Sequence, residues 1–110
     1  VIDGNWILAR EGAVVSYGEI DFGGKSPAAL EVDIAVGQNL AGGKIQFWDI
    51  TGDQRPDRCL AELTTSSTGR WFDYKTFRLP LKYPVTGKRK IIIRFLDKDC
   101  NFRAWRTLDE

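Results

Sequence analysis

The residue types that carry most enzymatic chemistry are scarce in this sequence of 110 residues. It contains no histidine, which excludes a Ser-His-Asp triad, a Cys-His dyad and a histidine-ligated zinc or haem. Its two cysteines are too few for a four-cysteine metal site. The 15 acidic residues keep catalysis by a carboxylate pair open, but no spacing singles out one pair. We therefore expect a domain that is not itself an enzyme.

Tryptophan supplies the strongest binding candidates, because large rigid aromatic rings anchor ligands well. Trp71 follows a Thr-Gly turn at the start of a predicted strand, where a cleft at the loop end of a sandwich would lie. Trp48 lies on the opposite side of its strand from Ile45 and Phe47, so it faces away from the core. We expect Trp105, in contrast, to be a core residue.

Short segments separated by turns must position these residues. Clusters of Gly, Asn, Asp and Pro separate segments of about five to ten residues, several of which alternate apolar and polar side chains. The main segments are Val14–Phe22, Ala28–Val36, Lys44–Ile50, Cys59–Thr64, Phe72–Leu79, Lys90–Leu96 and Phe102–Leu108. This pattern predicts an all-β fold of about eight strands, an antiparallel two-sheet β-sandwich of jelly-roll type.

Composition and charge are those of one ordinary globular domain spanning residues 1–110. The net charge of +1 is too small for a protein held mainly by nucleic-acid phosphates, so we expect no such partner. No apolar run is long enough for a membrane span. Because the sequence begins at Val1 without an initiator Met or a signal pattern, we expect it to be part of a longer chain.

An ordered set of motifs resembles family 6 carbohydrate-binding modules. The opening strand ends in Ile20-Asp-Phe-Gly23, and Ile45-Gln-Phe-Trp-Asp49 comes after a Gly-Gly turn. Thr68-Gly-Arg-Trp71 follows, and then Val85-Thr-Gly-Lys88 precedes an apolar strand. The resemblance runs from about residue 12 to the end. It implies a galactose-binding-domain-like sandwich that binds a polysaccharide without catalysis. In this family such a module belongs to a secreted, extracellular or periplasmic, glycoside hydrolase.

The resemblance also implies particular site residues. The family's loop-end cleft holds a sugar between two aromatic rings with an Asn nearby, which carries over to Trp71 and Asn101. The second ring is Trp6 or Tyr17, and Trp48 is a candidate for a further site on the concave sheet surface. Packing alternatives remain open: Tyr17 suits the core, Asn101 a turn, Trp48 a place under a loop, and Trp71 the rim or core.

A structural calcium ion is the one cofactor that the resemblance suggests. Family members hold it partly through acidic residues of an opening strand, which Val1-Ile-Asp-Gly4 does not reproduce. Asp3, Asp109 and Glu110 offer oxygen ligands, but without a recognisable spacing. Calcium therefore stays an open expectation, and no other cofactor is expected.

Two accounts fit Cys59 and Cys100. A secreted module favours a disulfide, and antiparallel neighbouring strands would bring the two residues to one end of the fold. The alternative is a pair of unbridged thiols that pack as small apolar side chains.

The basic residues suggest a further hypothesis about the ligand. If several of them shared a face, an acidic glycan would be a plausible ligand, whereas the run at residues 88–90 alone reads as a solvated turn. The residues concerned are Arg70, Arg78, Lys82, Lys88, Arg89 and Lys90. The alternative to a sugar-binding module is a structural accessory domain of a glycoside hydrolase, which would bury its aromatics or present a wide apolar patch.

Overall fold

The chain folds as β-structure in a computed structural model that describes residues 7–52, 56–70 and 73–108. No helix occurs within these ranges, which confirms the predicted all-β class. The strands are β1 Ile7–Ala9, β2 Val14–Asp21, β3 Ala29–Ala35, β4 Lys44–Asp49, β5 Arg58–Thr64, β6 Lys75–Pro80, β7 Lys88–Leu96 and β8 Cys100–Leu108. Strand β1 was not expected, because three residues are too few to show a period of two.

The strands form two antiparallel four-stranded sheets. Sheet A has the order β1-β8-β3-β6 and sheet B the order β2-β7-β4-β5. Only β4 and β5 are consecutive strands of one sheet; every other connection crosses to the opposite sheet. This connectivity confirms the two-sheet β-sandwich, and it makes almost every strand pairing a long-range one.

The core lies between the sheets and is rich in aromatic residues. Phe95 and Phe102 meet edge to face with ring centroids 5.6 Å apart. Trp105 is 2% exposed and packs on Phe47 at 5.2 Å, which confirms its predicted place in the core. In β4 the buried residues Ile45 and Phe47 alternate with half-buried outward ones, so the predicted alternation is also confirmed.

The disulfide between Cys59 and Cys100 is not formed, and both residues are free thiols. Their strands are not neighbours, because Cys59 lies on β5 of sheet B and Cys100 on β8 of sheet A. Cys59 is level with Trp48 and Ile92, whereas Cys100 lies beyond the end of β7 at Leu96. Four strand residues separate these levels by about 13 Å, in addition to the gap between the sheets. The expectation of a bridge was wrong because it assumed adjacent strands.

Among the described residues, no helix is long and apolar enough to cross a membrane.

Candidate functional site

Two of the predicted sugar-binding residues, Trp71 and Trp6, lie outside the residues that the structure describes. Asn101 lies on β8 rather than in a loop, is 4% exposed, and is level with Ala35 on β3 and Leu8 on β1. The turn alternative for Asn101 therefore does not hold.

The segment that precedes residue 71 is tied to the end of β3. The Thr68 backbone N–H donates to the Val36 carbonyl at 3.0 Å, and the Val36 N–H donates to the Thr68 hydroxyl oxygen at 2.9 Å. Gly69, with a φ of +108° that favours glycine, then bridges to Gly37. Val36 directly follows Ala35, which pairs with Asn101 across the sheet. Residues 68–70 and Asn101 therefore lie at the same end of the sandwich.

Tyr17 is not at that end. It lies on the inward side of β2, where its ring meets Trp105 edge to face with centroids 5.7 Å apart. Burial raises the pKa of its hydroxyl to about 12. Neither the Tyr17 hydroxyl nor the Trp105 indole N–H has a hydrogen-bond partner within the described part of the chain. These contacts favour the packing interpretation of Tyr17.

Trp48 lies on the outer face of sheet B, half-buried, as the alternation of β4 predicted. Its indole N–H donates to the Gln46 side-chain oxygen at 2.9 Å, and the Gln46 amide nitrogen donates to the Glu62 carboxylate. The Arg94 guanidinium carbon lies 5.1 Å from the centre of the Trp48 ring, a cation–π contact. One ring is thus held between a hydrogen-bond chain from β5 and an arginine from β7.

We call this group of residues the Trp48 patch: Gln46, Trp48, Glu62, Ile92 and Arg94. Its members stand in two rows across the sheet. The first row reads Glu62, Gln46, Arg94 and Val14; the second reads Cys59, Trp48, Ile92 and Ser16. An aromatic and an aliphatic surface therefore lie directly beside amide, carboxylate and guanidinium groups.

Apart from Trp48, the polar members of the patch were not predicted as site residues. A period of two in β4 and β7 indicates that positions 46 and 48, and likewise 92 and 94, point the same way. The sequence does not show that β7 pairs with β4, however, and this pairing is what brings Arg94 to Trp48.

The described surface has few exposed large apolar side chains. Within it only Val14, at 56%, and Tyr83, at 44%, are exposed large hydrophobic residues. They lie on different parts of the fold, since Val14 is on β2 and Tyr83 is in the loop between β6 and β7. The described residues therefore do not form the wide apolar patch that a structural docking domain needs.

A cavity of about 660 Å³ lies away from the Trp48 patch. It opens between the end of β2 and the last residues of β8, and Phe22, Pro27 and Trp105 contribute to its lining. Trp105 is 2% exposed and packed into the core, so it offers no free ring face to a sugar. We therefore base the candidate site on the patch rather than on this cavity.

The six basic residues singled out in the sequence do not share one face. Arg70 lies in the loop after β5, and Arg78 lies on β6 opposite Glu31 in sheet A. Residues 88–90 begin β7 in sheet B, where Arg89 and Arg58 flank the buried Asp49 carboxylate at 3.8 Å each. These residues are therefore divided between the two sheets and the loops, and whether several of them act together on an acidic glycan stays a prediction.

The predicted oxygen ligands for calcium, Asp3, Asp109 and Glu110, lie outside the described residues. In the described ranges, no three His, Cys, Asp or Glu side chains cluster as metal ligands do. Calcium binding therefore stays an open expectation.

No protein-family model matches the sequence, and no curated protein does either. Solved structures, in contrast, share its fold. A family 6 carbohydrate-binding module from Clostridium stercorarium in complex with cellobiose matches with a TM-score of 0.77 and 18% identity, over 99% of this chain and 79% of that one. A module from Cellvibrio mixtus lichenase 5A in complex with cellotriose matches with a TM-score of 0.73 and 14% identity, over 100% and 90%.

A larger protein contains the same fold as one part. A glycoside hydrolase family 43 arabinoxylan arabinofuranohydrolase from Bacillus subtilis, in complex with cellotetraose, matches over 94% of this chain with a TM-score of 0.75 and 20% identity. The present chain spans only 20% of that enzyme's length. At these identities the likeness establishes the fold: the chain has the β-sandwich fold of family 6 carbohydrate-binding modules.

Proposed function

We propose that this domain is a non-catalytic carbohydrate-binding module that holds a polysaccharide or oligosaccharide on the Trp48 patch. The observation that carries the proposal is the half-buried Trp48 ring on an outer sheet face, fixed by Gln46 and Arg94. Structural neighbours in complex with cellobiose and cellotriose support it, since they share the fold.

The chemistry of the patch suits a sugar. A pyranose ring presents C–H groups on one face, which pack on an aromatic or aliphatic surface such as Trp48 and Ile92. Its hydroxyl groups both donate and accept hydrogen bonds, and a site needs only a few well-placed polar groups to orient it. Gln46 and Arg94 supply donors, and Glu62 supplies acceptor oxygens.

Trp71 is the candidate for a second sugar-binding position, and the described residues that precede it in the sequence, 68–70, lie at the same end of the sandwich as Asn101. The anchoring of Thr68 and Gly69 to the end of β3 supports this candidate, because a chain held in place before a binding residue lowers the entropy lost on binding. We further propose that the parent protein is a secreted glycoside hydrolase, which the module holds against its substrate.

The test is binding of the purified domain to a panel of neutral and acidic polysaccharides, by affinity electrophoresis and then by calorimetry with oligosaccharides. We expect Trp48→Ala to weaken binding at least about 30-fold, since an aromatic anchor contributes about 2 kcal/mol. Its melting temperature should stay near that of the parent, because the ring is outside the core. Tyr83→Ala is the matched control, an exposed aromatic of the loop between β6 and β7 that is not a member of the patch, and should bind like the parent.

Two other results would change the assignment. If the parent binds no glycan of the panel, the structural accessory domain becomes the better account. If Trp71→Ala abolishes binding while Trp48→Ala has no effect, the domain binds sugar at its loop end and the Trp48 patch is not the site.

A further inference from the structure

Arg94 lacks the anionic partner that three other arginines of the fold have. Arg58 and Arg89 flank Asp49, and Arg106 pairs with carboxylates of sheet A. Within the described part of the chain, Arg94 makes no ion pair, and its guanidinium lies over the Trp48 ring. Its neighbours across the strands, Val14 and Gln46, are uncharged.

The contact with Trp48 orients this guanidinium. An arginine held over an aromatic ring loses conformational freedom, but its N–H groups remain available as donors. They point outward in the plane of the guanidinium, away from the ring contact. The five donors form a rigid fork that matches the two oxygens of a carboxylate or the oxygens of a sulfate. Arg94 is exposed, so these donors are accessible to a ligand that lies on the patch.

The one acidic residue of the patch is held on its far side. Glu62 accepts a hydrogen bond from Gln46, and strand β4 separates it from Arg94. Two strand spacings place the backbones of these residues about 10 Å apart. The patch therefore has a positive side at β7 and a negative side at β5, with the Trp48 ring between them.

We propose that the Trp48 patch recognises acidic glycans, and that Arg94 binds the carboxylate of a uronic acid or the sulfate of a sulfated sugar. This inference rests on the proposed function, because it assigns a ligand class to the same surface. The acidic sugar takes the β7 side of the patch, where its ring covers Ile92 and the adjoining part of Trp48. Glu62 repels a second anionic group from the β5 side, which gives the bound chain a preferred direction.

The test compares ligands that differ only in charge. Binding of a uronic-acid oligomer is measured by calorimetry beside the same oligomer with methyl-esterified carboxylates, a sulfated oligosaccharide and cellotriose. We expect the free acid or the sulfated sugar to bind at least about tenfold more tightly than the uncharged ligands, with an affinity that falls as salt rises. The two acidic ligands, measured separately, identify which anion the site prefers.

Arg94→Gln should reduce the ratio of acid to ester affinity to about one. Arg78→Gln is the matched control, an exposed arginine on the outer face of sheet A, and should leave the ratio unchanged. Equal binding of acid and ester to the parent, or an unchanged ratio in Arg94→Gln, overturns the inference and leaves the proposed function intact. A parent that binds none of the four ligands, nor any glycan of the panel, overturns both.

Discussion

The outer faces of the two sheets each carry a well-placed arginine, but the two arginines have opposite surroundings. On sheet A, Arg106 donates to the carboxylates of both Glu31 and Asp33, and the Thr76 hydroxyl donates to Asp33 at 2.7 Å. On sheet B, Arg94 lies over Trp48 and has no carboxylate partner among the described residues.

This difference separates a network of paired charges, around Arg106, from a patch in which Arg94 has no carboxylate partner among the described residues. The sheet A network is closed, and it holds the pKa of Asp33 below its usual value, mainly through the hydrogen bond from Arg106. A ligand would have to break these pairs before it could use them. The sheet B patch offers unpaired donors beside an aromatic ring, so a ligand gains contacts there without displacing internal ones.

The largest effect is expected when Arg94 on the sheet B face is given a carboxylate partner of its own. Val14 lies directly opposite Arg94, so Val14→Glu places a carboxylate where sheet A already has them. We expect affinity for an acidic glycan to fall at least about tenfold, because the new carboxylate competes for Arg94. Stability should stay equal or rise slightly. Calorimetry and a thermal melt measure both, with Val14→Gln as the uncharged control; undiminished binding by Val14→Glu would show that Arg94 is not used.

The reverse change removes the cation from the charge network on sheet A. Arg106→Gln leaves Glu31 and Asp33 without their cation, and we expect a loss of about 1 kcal/mol of stability, with glycan binding unchanged. The magnitude is modest because the Arg106 side chain is 39% exposed. Arg94→Gln should change stability by less than about 0.5 kcal/mol. Denaturant unfolding of both variants provides the measurement, and equal losses would mean that the two faces do not differ as described.

The sheet A network should also respond to acid. The pKa of Asp33 is lowered in the folded state, so its contribution is complete above its unfolded pKa of about 3.9 and is lost as pH falls through the folded value. The stability difference between the parent and Arg106→Gln should therefore be larger at pH 7 than near pH 2. Denaturant unfolding at the two pH values tests this, and a difference independent of pH would exclude Asp33 as the responsible group.

The free thiols provide a smaller but local probe of the two sheets. Cys59 is half-buried beside Trp48, whereas Cys100 is 2% exposed and burial raises its pKa to about 12. We expect iodoacetamide to label Cys59 slowly at alkaline pH and Cys100 only on unfolding. Bound glycan should slow the labelling of Cys59 about twofold or more if it covers the patch. Mass spectrometry measures the labelling of both cysteines. If neither is labelled in denaturant without reductant, the two cysteines form a disulfide, contrary to the structure.

The sequence allowed the strand pattern and the outward position of Trp48 to be predicted, because a period of two is a local signal. It did not reveal the neighbours of Trp48, since β7 joins β4 across more than forty residues and the sheet order has no local signature. The same limit explains the wrong disulfide: Cys59 and Cys100 both lie near strand ends, but in different sheets. Motif resemblance supplied the fold, whereas Arg94, Gln46 and Glu62 emerged only from the strand pairing.

The most direct test of sugar binding at the Trp48 patch is the NMR signal of the Trp48 indole N–H during a titration with a bound glycan. The chain has four tryptophans, and Trp48→Phe identifies the relevant signal. We predict that the Trp48 signal shifts in proportion to the bound fraction, because its N–H lies in the hydrogen-bond chain that the ligand covers, while the buried Trp105 signal stays in place. A glycan that reaches saturation without moving the Trp48 signal would contradict the account.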